Sequence, residues 1–226
     1  MINSLSTENQ EGSQMQNLDS MEMIDITPVI NSRMAVFPGD TPFSHEVAMD
    51  MHKGDHLTLS AIKTTVHLGA HTDAPNHYSA TGSSIEKRSL QYYLGPAQVI
   101  EVLCKRGTRI QVADLAKKDI RAPRILFKTK SFPDPYKWNG DFMSLSEELV
   151  NFLAGKGVKL VGIDTPSIDL SEDKILQSHH AVARHDMAIL EGIVLDKAPE
   201  GLYQLVALPL AIENADATPV RAILLK

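Results

Sequence analysis

Three of the chain's nine histidines and one aspartate fall within the stretch His67-Leu68-Gly69-Ala70-His71-Thr72-Asp73-Ala74-Pro75-Asn76-His77. Counted from His67, they stand at offsets 0, 4, 6 and 10. Imidazoles and carboxylates at this density need polar partners if buried, and packing alone does not supply them. A divalent cation satisfies several at once, because neutral imidazole and carboxylate are its natural ligands. On a helix the four offsets scatter over more than one face. On extended chain, with its period of two, four even offsets share one side. His67, His71 and Asp73 are therefore expected to present three ligands from one side of an extended segment, with His77 just beyond Pro75. Three protein ligands leave a position open for water on a catalytic ion, whose charge lowers the water's pKa toward ~7. The bland alternative, a surface strand with scattered histidines, accounts for one such residue better than for the whole group.

Farther along, His179, His180, His185, Asp186 and Glu191 form a second cluster. Glu191 is acidic among Ile189, Leu190 and Ile193, which makes it a candidate second bridge beside Asp73 in a two-ion hydrolytic site. One of the three histidines would complete the second ion, and spacing does not choose among them. His77 lies outside the compact triplet and has the residue type of a general acid or base, with an unperturbed pKa of ~6.5. A non-catalytic metal- or ligand-binding module is the alternative of a different class. Such a module has no need of His77.

The elements that must hold these groups read as mixed α/β. Ile24 to Thr27 alternates like a strand, and Phe37-Pro38-Gly39-Asp40-Thr41-Pro42 is a turn-rich loop. His56 to Val66 is strand-like and leads into the histidines, and Gly69 and Pro75 argue against a helix there. Pro96 to Cys104 reads as a strand entered through Gly95-Pro96, and Gln111 to Lys118 as a short helix. Arg124 to Lys128 is a strand, and Pro133 to Gly140 a loop holding the only tryptophan, Trp138. Ser144-Leu145-Ser146-Glu147 fits a capping box ahead of a helix ended by Gly155 or Gly157. Val158 to Ile163 is a buried strand ending in Asp164-Thr165-Pro166-Ser167. Ser171 to Leu190 reads as one helix, and Leu202 to Leu208 and Val220 to Leu225 as strands.

At 226 residues the chain can form one sizeable domain or at most two small ones, and 43% hydrophobic with 22% charged residues is ordinary for a globular protein. A net charge of −6 argues against nucleic acid as a partner. The single cysteine, Cys104, sits in an apolar run and reads as core, with the cytoplasm as the expected compartment. No apolar stretch approaches the ~20 residues of a membrane span, and the start lacks the basic and apolar regions of a signal peptide. Residues 1–23 carry four acidic residues and no Lys or Arg, and are expected to be a disordered tail, with Met21 and Met23 as alternative starts. The folded domain is expected over 24–226.

The histidine stretch fits the pattern His-x-Gly-[Thr/Ala]-His-x-Asp-x-Pro-x-His and so resembles the signature of the cyclase-type metal-dependent hydrolases. Phe37 to Pro42, Tyr93 to Pro96, Val158 to Ser167, Met187 to Asp196, Leu205 to Leu210 and Asp216 to Ala222 extend the likeness, and they are similar to the kynurenine formamidase (arylformamidase) branch of that family. The resemblance covers about 24–226. It implies an α/β single domain of the swivelling β/β/α type with a mixed sheet. It also implies two divalent ions per subunit, usually zinc. His67 and His71 would bind the first ion and His179 the second, with Asp73 and Glu191 bridging. The Ser178-His179 step and the gap to Glu191 are what select His179 over His180 and His185. His77 would move protons. The implied reaction is hydrolysis of the linear amide N-formyl-L-kynurenine to L-kynurenine and formate in tryptophan catabolism, by a homodimer. Phe37 stands in the substrate pocket where the family usually has tryptophan, keeping stacking area without the indole N–H. The nearest rival within the superfamily is an isatin hydrolase-like enzyme of cyclic amides with one manganese ion.

Overall fold

Alternation along the central strands divides the core in two. Ile125 and Phe127 face one way with Val161, Ile163 and Ile189, while Leu126 faces the other way with Leu160, Ala188 and Leu190. That is the period-2 pattern of strands buried on both faces. The computed structural model describes residues 20–115 and 118–226. Its central sheet has seven strands in the order β1 (Met23–Asp25), β13 (Ile223–Leu225), β11 (Gly201–Val206), β5 (Leu94–Glu101), β7 (Arg124–Lys128), β9 (Leu160–Ile163) and β10 (Ala188–Leu190). From β5 to β10 the neighbours run parallel, and from β5 back to β1 they run antiparallel. The sheet is thus mixed and the fold α/β, as expected.

Helices α2 (Glu147–Gly155) and α3 (Gln177–Arg184) cover one face through Leu149, Val150, Leu153, Ala181 and Val182. The other face is covered by segments between elements, including Ala70, Ile193 and Leu195. Three two-stranded pairs complete the strand set: β2 (Ser44–Met49) with β3 (Leu59–Lys63), β4 (His71–Asp73) with β12 (Ala217–Pro219), and β6 (Arg109–Ile110) with β8 (Ser144–Leu145).

Several local expectations are corrected. The predicted helix over Ser171 to Leu190 is only α3, because Asp186 takes a left-handed φ of 48° and ends it. Ala188–Leu190 then pairs in parallel with β9 as an edge strand; a short apolar run beside a helix does not reveal its own class. Helix α2 is capped by Ser146, whose hydroxyl accepts from the Leu149 N–H at 3.1 Å, and Ser144 belongs to β8. Gly155 and Gly157 close α2, the latter at φ 80°. Gly95 and Pro96 lie inside β5, with the β7 ladder starting two residues later at Gln98. Between Gln111 and Lys118 the described residues form only a 3-10 turn, Val112–Leu115. The predicted tail lies outside the described residues except for 20–23, of which Met23 opens β1 opposite Leu225.

Candidate metal centre

The histidine stretch is extended only in part. Thr65 to His67 leads into a bend at Gly69, which takes φ 56°, a region that favours glycine. β4 follows, and its middle residue, Thr72, turns away from its neighbours and donates its hydroxyl to Ile189 O at 2.6 Å. His71 and Asp73 therefore share the opposite face, as the even offsets predict, while His67 reaches them from before the bend. Pro75 does not exclude a helix. It sits at the first position of α1 (Pro75–Tyr78), where its missing N–H costs nothing, and α1 carries His77.

Glu191 is brought to β4 by backbone pairing. His71 N–H donates to Glu191 O at 3.1 Å, and Glu191 N–H donates to His71 O at 2.9 Å. Gly192 makes this approach feasible, since a Cβ there would stand 2.0 Å from Gly69 O. His179 arrives from the first turn of α3.

The side chains converge. Asp73 Oδ1 lies 3.1 Å from His67 Nδ1 and 3.5 Å from His71 Nε2, and its Oδ2 lies 3.5 Å from His179 Nε2. Glu191 Oε2 lies 3.2 Å from His71 Nε2, and its Oε1 lies 3.7 Å from His179 Nε2. Each carboxylate thus faces a histidine of the first cluster with one oxygen and His179 with the other. His180 is exposed, and His185 turns away to Asn151 Oδ1 at 2.8 Å.

Hydrogen bonds outside the cluster fix the tautomers. His71 Nδ1–H donates to Gly69 O at 2.8 Å, leaving a lone pair on Nε2. His179 Nδ1–H donates to Asp169 Oδ2 at 2.7 Å, again leaving Nε2 toward the carboxylates. This carboxylate–histidine arrangement orients imidazoles at metal sites. Asp169 is held in turn by Arg109 Nη1 at 2.6 Å and by the Ser178 and His179 N–H groups. His71 Nε2 and both Asp73 carboxylate oxygens are buried without a hydrogen-bond partner. Buried polar atoms left so are costly, and an aromatic lone pair facing two carboxylates asks for a cation. The residues fit a divalent-metal centre.

The facing charges move the titration of these groups away from their ordinary values. Burial alone would lower the His67 pKa, but Asp73 and Asp216 outweigh it and push it up to about 9. Burial likewise opposes His179, which Asp169 and Asp73 push up to about 10. Burial would raise the Asp73 carboxyl, yet His179 and His67 hold it well below the usual range. His77 behaves differently, because burial lowers its pKa. Its Nδ1 lies 3.5 Å from Asp216 Oδ2, and its ring centroid is 4.2 Å from that of His67.

Two acidic residues around the site had no role assigned from sequence. Asp216 contacts His67 Nε2 at 3.1 Å as well as His77. It reaches them because β12 pairs with β4, placing Ala217 opposite Asp73. Asp169 lies ten residues before His179 and points back to it. Both are polar residues in loops without periodic pattern; only the Asp216 segment's likeness to the formamidase branch hinted at a use. A pocket of about 200 Å³ opens over the cluster between Phe37, Asp40, Pro166 and Leu176.

Residues 24–170 match the family model described as "Putative cyclase". Among solved structures, the chain is similar to a potential metal-dependent hydrolase with cyclase activity, 28% identical over 91% of this chain and 98% of the other, with a TM-score of 0.78. It is also similar to a predicted metal-dependent hydrolase from Bacillus stearothermophilus, 28% identical over the same shares, with a TM-score of 0.77. An isatin hydrolase bound to the product analogue thioisatinate shares the fold at 19% identity, over 92% of this chain and 93% of that one, with a TM-score of 0.79.

Proposed function

The chain belongs to the cyclase family of metal-dependent hydrolases, and within that family we propose that it hydrolyses N-formyl-L-kynurenine to L-kynurenine and formate. The observation that carries the reading is the placement of Asp73 and Glu191, each with one oxygen toward His71 and the other toward His179. In this reading Asp73 and Glu191 would be shared by two divalent ions, zinc by expectation, whereas the isatin hydrolase-like rival would hold one manganese ion. His67 and His71 would hold one and His179 the other. Bound there, the ions supply Lewis acidity toward the amide carbonyl and activation of water.

The remaining work falls to the chain. Asp169 holds His179, and Gly69 O holds His71, so both present Nε2. His77 turns Nδ1 to Asp216 and keeps Nε2 for the substrate. A lowered pKa leaves His77 neutral at pH 7, able to accept the proton of the attacking water. The C–O bond forms at the formyl carbon, the C–N bond breaks, and His77 returns the proton to the aryl nitrogen. An aryl amine leaves more readily than an alkyl amine. Phe37 offers its ring to the aryl group at the pocket wall.

The working unit in this proposal is a cytoplasmic homodimer. Every residue of β3 is exposed, as are Val47, Met51, Leu59 and Ile62 on the β2–β3 hairpin. A lone two-stranded hairpin is marginal in water, and a second copy would cover this apolar surface. Among the described residues no helix is long and apolar enough to cross a membrane.

Purified protein supplied with zinc or manganese should raise kynurenine absorbance when given N-formyl-L-kynurenine. No turnover of that substrate, with isatin opened instead, would overturn the assignment. Light scattering during gel filtration checks the dimer, and a monomer mass would refute it.

A further inference from the structure

Phe37 is one of four rings packed together at the pocket mouth. Its centroid lies 4.7 Å from that of Trp138 at 62°, an edge-to-face contact. Phe142, fully buried, stands behind both at 6.4 Å and 6.0 Å, and Phe132 lies 6.0 Å from Trp138. Both supporting loops are pinned. Phe37 opens a tight turn in which Asp40 N–H donates to Phe37 O at 3.0 Å, with Gly39 at φ 95°. Pro38 and this left-handed glycine are the residues such a turn requires. Ala35 N–H donates to Pro135 O at 3.0 Å, tying the Phe37 segment to the loop of Trp138. Beyond Trp138, Arg106 holds Asn139 at 2.8 Å and Asp141 at 2.9 Å. Phe37 lies on an irregular segment, and Trp138 is the nearest of the rings packed against it.

We propose that Trp138 is the positioning residue for the Phe37 ring, and that the pair makes an aryl wall selecting amides with a planar aromatic group on nitrogen. This rests on the amide-hydrolase reading of the metal centre. Trp138 acts through Phe37 and touches no ligand of the centre. A Phe37 ring held at a fixed angle offers a face on which a flat substrate ring stacks, and offers nothing equivalent to an alkyl chain.

The test compares formanilide with N-butylformamide. W138A should raise KM for formanilide about three- to tenfold, the scale of one aromatic pair, with kcat retained. N-Butylformamide turnover should stay within about twofold. W138F keeps a ring, guards against a folding defect, and should restore KM. Equal effects of W138A on both amides, or an unchanged formanilide KM, would overturn the proposal. A second readout does not need turnover. Trp138 is the only tryptophan, so its emission reports on the wall directly. Acetanilide should change that emission saturably and N-butylacetamide should not, and a flat or equal response refutes the aryl wall. If the wild type cleaves neither formamide, the hydrolase reading fails, and the emission titration alone decides the wall.

Discussion

His71 and Glu191 meet twice, once through backbone and once through side chains. Their backbones exchange hydrogen bonds at 3.1 and 2.9 Å, and His71 Nε2 lies 3.2 Å from Glu191 Oε2. Residues far apart in sequence thereby share one rigid mount. The geometry of the centre is set by main-chain pairing before any ion enters, which is the preorganisation a metal site needs.

That mount depends on Gly192. Its φ is 63°, and an added Cβ would stand 2.0 Å from Gly69 O. G192A is expected to lower stability by about 2 kcal/mol or more, from left-handed strain plus overpacking. It should also weaken metal binding, since β4 and Glu191 must move apart. Urea unfolding and metal titration of the variant check both, and wild-type values would contradict the shared mount.

Asp169 tests the role of His179. D169N removes the carboxylate that orients the ring, and loss of such a partner typically weakens metal affinity about 10–100-fold. One of the two proposed ions should be lost on dialysis against a chelator while the other stays, a result read by elemental analysis. Retention of both ions in D169N would mean that His179 needs no such support.

Proton uptake gives a pH test with a definite sign. His67 and His179 have ion-free pKa values of about 9 and about 10, above the ordinary 6.5. Both are protonated at pH 7 without metal, and each must lose its proton to become a ligand. Metal affinity should rise with pH through this range, with proton release measurable by calorimetry in buffers of different ionisation enthalpy. The ion-free protein should show the opposite trend. Its contribution from these two groups is full below 6.5 and is lost as pH rises through 9 to 10. Thermal unfolding of ion-free and metal-loaded protein across that range separates the two. No proton release would contradict the ligand roles.

Proton transfer is proposed for His77, whose Nδ1 lies 3.5 Å from Asp216 Oδ2. H77A should keep its metal and lower kcat about 10²–10⁴-fold, the range of general acid–base catalysis. D216N should lose part of that factor and also weaken metal binding, because Asp216 meets His67 Nε2 at 3.1 Å as well as facing His77 Nδ1. Full activity in H77A would remove the histidine from the mechanism.

The first half of the candidate centre was legible because it is local. His67, His71, Asp73 and His77 share one short stretch, and the even offset of His71 and Asp73 reports their common strand face, while His67 stands before the Gly69 bend and His77 on α1. The second half was legible only by resemblance, since spacing left His179, His180 and His185 equivalent. Burial separates them in the fold, along with the Asp169 contact that His179 alone makes. Asp216 was missed because its place comes from β12 pairing with β4, a long-range register that no local pattern encodes. The α3 boundary was overrun for a related reason. Ala188–Leu190 is apolar in either class of element, and the parallel pairing with β9 decides it. Central strands such as β7 and β9 read correctly because burial on both faces leaves a continuous apolar run.

The central claim is a pair of ions shared between Asp73 and Glu191. Anomalous diffraction from zinc-loaded crystals measures it directly. The account predicts two peaks per chain about 3.5–4 Å apart, the spacing of two-metal hydrolytic sites, with both carboxylates between them and His179 on the second. A single peak, or a second peak held by His67, His77 and Asp216 instead of His179, would contradict it.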